Sequence, residues 1–392
     1  MSSPSAAARE RELGAILERC NDLRQAAVPA DAELPAGFVG TLGHFPVYFP
    51  EEIAHAAGLL PVGLLGGGNK LEMKHADAHI GSFICSICRS TTEMGLNGSL
   101  ATLGGFVTHP ICDAAKHLAG IWGRNFPEQL AQILYLPQNP NTPGAVRYVA
   151  AEYQRLRSEL EKKAGRLVED EAVSRSVRLY NRNRRLLREL YAIRRDTPWK
   201  LSCTESYLLV RARTRLPCEE HNALLEAALP LVHARERAAQ DKPRVVFVGG
   251  FCEQPPLEML EVLDDTCYVV DDDLLIGLRW LTSDVPETGD PIRALAESFV
   301  DRSAASPVQH DERKTKEEYL MAMLRAARAD AAILTAAKFC EPGLDEQVAW
   351  SKHLDAAGIQ YLVLEFEEKM TSFEQMAMQL ETFAESLLFS IA

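Results

Sequence analysis

The sequence has no apolar run long enough to cross a bilayer. Its longest, Gly58 to Gly67, falls well short of the roughly 20 residues that a spanning helix needs. Residues 1–12 lack the apolar stretch of a secretory signal and pass directly into a charged helical pattern, so a cytoplasmic protein is expected. Positive charge is in deficit: 42 Lys and Arg stand against 55 Asp and Glu, a formal net charge of −13. Such a chain repels nucleic acid and anionic membrane unless a local basic patch overrides the field, and neither is expected as a partner. The 9 cysteines are an odd number, and without an export signal a disulfide framework is not expected. A compact CxxCxxC ferredoxin pattern is missing. So is a GxxxxGK[ST] phosphate loop, and ATP hydrolysis is therefore not expected of this chain.

What the sequence does hold is ordinary globular material, 47% apolar and 25% charged over 392 residues, more than one core usually serves. Leu13, Ile16, Leu17, Cys20 and Leu23 recur at helical spacing, so residues 6–27 read as an N-terminal helix. The Pro-, Ala- and Gly-rich stretch Val28 to Gly43 reads as a connector. Pro50 then opens a short helix with acid in its first turn, closed by Gly58. Leu59–Leu65, Ile80–Ile84, Gly105–Thr108 and Ile133–Leu136 read as strands with helical stretches between them. From Gly144 to about Gln240 the pattern is long amphipathic helix: Val173, Val177, Tyr180, Leu187 and Tyr191 share a face while Arg175, Arg178, Arg182, Arg185 and Arg188 occupy others. Strands return at Val245–Val248, Tyr268–Val270, Ala331–Leu334 and Tyr361–Leu364. Alternation of this kind argues for helices covering parallel sheets. The expected class is α/β: two Rossmann- or flavodoxin-like parallel-sheet domains at 37–143 and 241–392, an N-terminal helical segment at 1–36 and a helical segment at 144–240.

Open parallel sheets gather ligands outside the carboxyl ends of their strands, where loops and helix N-termini offer free donors. Cys85, Cys112, Cys252 and Cys340 all follow strand-like runs in this way. Cys85 and Cys88 are the only close pair. Spacing alone leaves three readings open for such thiols: small core residues, zinc ligands or ligands of an iron-sulfur cluster. Cys20, Cys203 and Cys218 read as structural, while Cys252 and Cys267 are either close to a metal group or in the core. The Arg-rich helix could bind the phosphates of a coenzyme but reads more readily as a solvated face. Gly66-Gly67-Gly68 reads as a turn and Asp271-Asp272-Asp273 as a solvated, helix-capping loop. His44, His55, His109 and His117 could each supply a proton, with a structural role the usual case; Glu51 and Glu365 are equally ambiguous, and no general acid is named.

Several of these segments resemble successive signatures of the 2-hydroxyacyl-CoA dehydratase and benzoyl-CoA reductase family. They are Phe45 to Gly58 (FPVYFPEEIAHAAG), Cys85 to Ser90 (CSICRS), His109 to Asp113 (HPICD) and Lys338 to Pro342 (KFCEP), with Tyr180 to Arg184 (YNRNR) in the helical middle. The likeness runs from about Gly40 to the C-terminus. Phe251 to Pro256 (FCEQPP) together with Cys267 to Asp273 (CYVVDDD) is similar to the smaller iron-sulfur subunit of ATP-dependent benzoyl-CoA reductases. The resemblance implies a four-iron, four-sulfur (4Fe-4S) cluster held by Cys85, Cys112 and Cys340, one from each of three separated loops, with one iron left open. Cys88 departs from the single-cysteine form of the first motif and could stand in for Cys85. Also implied are a homologous larger catalytic subunit, an ATP-hydrolysing iron-sulfur activator, ferredoxin as electron donor and an aromatic acyl-CoA as substrate. The implied reaction is reduction of benzoyl-CoA or a substituted analogue to a cyclohexadienoyl-CoA. Radical dehydration of a 2-hydroxyacyl-CoA and a non-catalytic electron-relay or scaffold role are the alternatives.

Overall fold

The computed structural model describes residues 5–68, 71–367 and 369–391. The strands are β1 (Gly40–His44), β2 (Leu59–Gly63), β3 (Gly105–Thr108), β4 (Leu130–Ile133), β5 (Arg244–Val248), β6 (Tyr268–Asp272), β7 (Ala331–Ala337) and β8 (Tyr361–Phe366). They form two four-stranded sheets, ordered β2-β1-β3-β4 and β6-β5-β7-β8, and every pairing within both is parallel. The two halves share one strand order. In each, the chain runs outward from its first strand to one edge and then returns to the other side, leaving a crevice at the carboxyl ends between the first and third strands.

Both faces of the second sheet are covered, as parallel sheets require. Val245 and Phe247 face a core shared with helices Cys203–Arg211 and Glu374–Ile391, while Val246 and Val248 face helices Lys316–Ala327 and Glu341–Ala357. This is the period-2 alternation of a strand buried on two sides. The helical middle supplies Ala145–Ala164 and Asp170–Asp196. The first of these packs into the core of the first sheet, as does helix Pro291–Arg302 from much later in the chain. Among the described residues, no helix is long and apolar enough to cross a membrane.

Three sequence expectations need correction. Ile80 to Ile84 is a turn, not a strand: Gly81 and Ser82 interrupt the apolar run, Ile80 packs into the core and Phe83 is 72% exposed. The connector Val28 to Gly43 hides β1, one of the two inner strands of its sheet. Its Gly-Thr-Leu-Gly-His sequence reads as loop, yet a Cβ on Gly43 would meet Leu103 at 2.7 Å, so close packing selects glycine there. The strand expected at Ile133–Leu136 lies three residues earlier, as β4.

Candidate metal centre

Three helices begin at one cavity, and each carries a cysteine as its N-cap. Cys85 caps Ser86–Leu96, Cys112 caps Asp113–Asn125 and Cys340 caps Glu341–Ala357. Cys112 lies in the loop after β3 and Cys340 in the loop after β7, so the two occupy matching places in the two halves. The first N–H groups of a helix lack intrahelical partners, and the macrodipole makes that end positive. All three helices therefore favour negative charge on their capping sulfur. The Cys112 sulfur already accepts the Ala115 N–H at 3.4 Å.

The cavity measures about 250 Å³ and is lined by Cys85, Cys88, Cys112, Cys252 and Cys340 with an aromatic and aliphatic surround. Among the described residues, no three His, Cys, Asp or Glu side chains come together closely enough to hold a single metal ion; the five thiols surround a space instead. That space is several times what one water fills. Burial favours the protonated form of Cys88, Cys112, Cys252 and Cys340. It pushes Cys340 up to about 12 against the opposing backbone N–H of Gly343, and it raises Cys112 against that of Ala115. Cys88 is raised first by its hydrogen bond with Cys85 and then by burial, and Cys252 is raised by burial and then by Cys340. A bound metal cation reverses this balance and deprotonates a coordinating thiol outright. Five thiols drawn from separate loops, three of them buried and two half-buried, suit a soft thiolate-liganded metal group, with Asp113, Glu253 and Glu341 also on the lining.

The loop after β5 completes the cavity, and its placement was not evident from sequence. Glu253 reaches across to the first turn of helix Ser86–Leu96, where its carboxylate accepts from the Ser86 hydroxyl and the Ile87 N–H. It thereby caps a helix of the first half with a side chain from the second. The only sequence signal was that Glu253 adjoins Cys252; nothing tied it to a partner 167 positions earlier.

Other sequence candidates resolve differently. None of His44, His55, His109 and His117 lines the cavity. His44 is buried with Nδ1 at 2.8 Å from the Phe45 carbonyl, His55 bonds Ser176 and Glu219, and His117 is exposed. Burial pulls His109 down to about 3, with His44 adding to the effect. Glu51 is buried against Arg213 at 2.9 Å, and Glu365 is exposed. The arginines of the middle helix are committed: Arg178 pairs with Glu171, Arg182 with Glu226, Arg184 with Glu52 and both Arg185 and Arg188 with Asp284. They offer no ready phosphate cradle. Gly66 and Gly68 take positive φ in a turn beside Ser90, which accepts the Gly67 N–H.

The acidic run Asp271-Asp272-Asp273 is buried rather than solvated. Asp272 is held by Arg194, by Tyr191 at 2.9 Å and by Arg279 at 3.3 Å, and Asp271 pairs with Arg195 at 3.1 Å. Asp273 accepts the N–H groups of Gly249 and Gly250, which fixes the loop after β5. Cys20, Cys203 and Cys267 sit in the second-sheet core, and Cys218 is buried at the start of its helix. A larger cavity among the described residues, about 450 Å³, lies elsewhere, beside Trp199, Lys242 and Asp264, and gathers no comparable set of thiols.

The model of the 2-hydroxyglutaryl-CoA dehydratase D-component family matches residues 46–387. The chain is 36% identical to a benzoyl-CoA reductase subunit of Thauera aromatica, over 88% of this chain and 90% of that one. It is 28% identical to the beta subunit of lactoyl-CoA dehydratase of Anaerotignum propionicum, over 89% and 92%. With the beta subunit of (R)-2-hydroxyglutaryl-CoA dehydratase of Acidaminococcus fermentans the identity is 26%, over 88% and 92%. The chain belongs to the 2-hydroxyglutaryl-CoA dehydratase D-component family.

Proposed function

We propose that this chain is the iron-sulfur subunit of an ATP-dependent benzoyl-CoA reductase that converts benzoyl-CoA, or a substituted analogue, to a cyclohexadienoyl-CoA. The observation that carries the reading is the convergence of Cys85, Cys112 and Cys340, each the N-cap of a different helix, on one thiol-lined cavity. Those three residues would hold a 4Fe-4S cluster as thiolates. Such a group supplies one-electron transfer at a potential set by ligands, hydrogen bonds and solvent exposure. The chain's own residues do the tuning: helix N-termini stabilise the thiolates, Cys88 donates to the Cys85 sulfur, and Phe45, Phe251 and Ile111 keep water away. Phe83 and Phe339 line the same cavity and stand 72% and 46% exposed, an apolar rim that suits a partner protein.

In this reading a homologous larger subunit pairs with the chain, and a separate ATP-hydrolysing iron-sulfur activator, fed by ferredoxin, delivers the electrons. The reductase is favoured over the dehydratase because the identity to a benzoyl-CoA reductase subunit is 36%, against 28% and 26% to dehydratase subunits. The test is a reconstitution. Purified subunits, activator, a strong reductant, ATP and benzoyl-CoA are mixed under strict anaerobiosis, and loss of the aromatic absorbance is followed. Turnover that needs this chain is expected. Full-rate reduction with it omitted defeats the proposal, and dehydration of a 2-hydroxyacyl-CoA without ring reduction moves it to the second reading.

A further inference from the structure

We propose that Asp273 and Glu346 form a buried acid pair that binds one proton when the neighbouring cysteine cavity gains an electron. This rests on the proposed function above and deepens it, because it names the chain's own groups that offset the incoming charge.

The two acids share a second, smaller space. A cavity of about 20 Å³ is lined by Asp273 and Glu346 together with Phe251, Lys316, Tyr319 and Trp350. That exceeds the ~10–15 Å³ needed to hold one water. Trp350, on the wall of the same space, has a buried indole N–H with no hydrogen-bond partner. With two carboxyls and that donor around it, the space suits a single bridging water.

The pair stands directly behind the cysteine cavity. Phe251 lines both spaces. Asp273 accepts the N–H groups of Gly249 and Gly250, the residues that lead into Phe251 and Cys252 in the loop after β5. Glu346 is carried by helix Glu341–Ala357, the helix that Cys340 caps. Both acids are buried.

No ion pair neutralises either carboxyl among the described residues. Lys316 is the cation that opposes the rise at Glu346, yet its ammonium donates to the Pro307 carbonyl at 2.7 Å. Glu317 and Tyr48 also face Glu346, while Asp272, Arg279 and Tyr319 face Asp273. Two buried carboxyls that face each other without a paired cation cannot both ionise near neutral pH. Burial accordingly raises Asp273 to about 7 and Glu346 well above the usual carboxyl range. An electron added on the far side of Phe251 makes the local potential more negative in surroundings that screen it poorly, and the affinity of the pair for a proton rises. The balance is one electron into the cysteine cavity, supplied by the activator in the proposed function and by dithionite in the test, and one proton from a buffer acid. An O–H bond forms on a carboxylate oxygen and one breaks in the donor.

The experiment uses the full chain, loaded anaerobically with iron and sulfide, as wild type, Asp273→Asn, Glu346→Gln and the double variant, with melting temperatures to verify folding. Each is titrated with dithionite at fixed pH values from about 6 to about 8, the range in which the pair exchanges its proton, and the midpoint potential is read by electron paramagnetic resonance. The wild-type midpoint should fall steadily as pH rises, the single variants should show shallower slopes, and the double variant should hold one value. If Asp273→Asn melts early, Glu346→Gln leaves the Gly249 and Gly250 bonds in place and makes the comparison alone. Reduced-minus-oxidised infrared spectra give a second readout: wild type should gain a carboxylic acid C=O band that shifts in heavy water and is missing from the double variant. A slope that persists unchanged in the double variant overturns the inference and assigns the proton to another group, such as a thiol; a wild-type midpoint independent of pH overturns it as well. Either result leaves the proposed function standing. Wild type without iron and labile sulfide overturns both together.

Discussion

The nine cysteines, seven buried and two half-buried, divide by what surrounds their sulfurs. Cys85, Cys112 and Cys340 each end a loop and start a helix at the same cavity, whereas Cys20 and Cys203 lie in the second-sheet core and Cys218 is buried at the start of its helix, away from that cavity. The first kind can become thiolate when a cation arrives; the second is a small hydrophobe. Replacing any one of Cys85, Cys112 or Cys340 with Ala should therefore strip most iron and sulfide from the anaerobically purified protein, and a second replacement within the set should remove little more, because the ligands act as a unit. Replacing Cys20, Cys203 or Cys218 with Ala should cost about 1 kcal/mol of stability and leave the iron count intact. Iron and acid-labile sulfide analysis decides the matter: additive partial losses across the three would mean that they do not share one group. If Cys88→Ala strips iron while Cys85→Ala does not, the first ligand is Cys88.

The loop after β5 is held in place by its first residue. Gly249 has φ +115°, and a Cβ there would sit 1.6 Å from the Thr335 carbonyl oxygen on the neighbouring strand, so any side chain must break the pairing at the end of β5 and β7 or move the loop. Gly249→Ala should lower stability by at least the ~1–3 kcal/mol typical of one strained backbone site and reduce iron retention, since the same loop carries Cys252 and Glu253. Thermal melting and iron content measured together check this; an alanine variant with both unchanged would mean that the loop does not position the cavity. Gly249 illustrates what was legible in the sequence and what was not. Strands β5, β7 and β8 were visible because Val, Ile, Leu and Ala run without interruption, and the carboxyl-end rule led from them to Cys252 and Cys340. β1 was invisible because an inner strand pressed between neighbours uses glycine. Ile80 to Ile84 looked like a strand because local pattern does not report whether another strand lies alongside to bond with. The acidic run 271–273 looked solvated because two of its arginine partners, Arg194 and Arg195, lie 78 and 76 positions earlier in the sequence. Cys112, Cys252 and Cys340 were readable from the strands before them, whereas Cys85 was reached through a strand that is a turn and through the family resemblance, and Glu253 on the Ser86 helix and the pairing of the Arg-rich face depend on contacts between distant segments.

For the whole molecule, burial of ionisable groups writes opposing pH dependences into its stability. Burial raises Asp273 from 3.8 to about 7, with the Gly249 and Gly250 N–H groups opposing and Asp272 adding to the rise. Glu346 faces Asp273 and is raised in the same direction, by burial first, with Lys316 opposing. A folded-state pKa above the unfolded one means that the native protein holds the extra proton, so the Asp273 contribution is full below about pH 4 and is lost as pH climbs through 7. The buried histidines act the other way. Burial lowers His109 from 6.5 to about 3 and His221 to about 4, so their contribution is full above pH 6.5 and is lost as pH falls toward those values. Because the two trends cancel in part over the same window, the shape of the wild-type curve alone does not identify Asp273. The difference between wild type and Asp273→Asn does, since the amide keeps an acceptor for the glycine N–H groups but does not titrate. Measured by urea unfolding of the full chain at steps between about pH 4 and pH 7, the stability of Asp273→Asn relative to wild type should rise with pH, at up to roughly 1.4 kcal/mol per unit. A difference that stays constant over that range would show that Asp273 is already ionised in the folded protein, and that the loop after β5 is held by a charge instead of a proton-bearing acid.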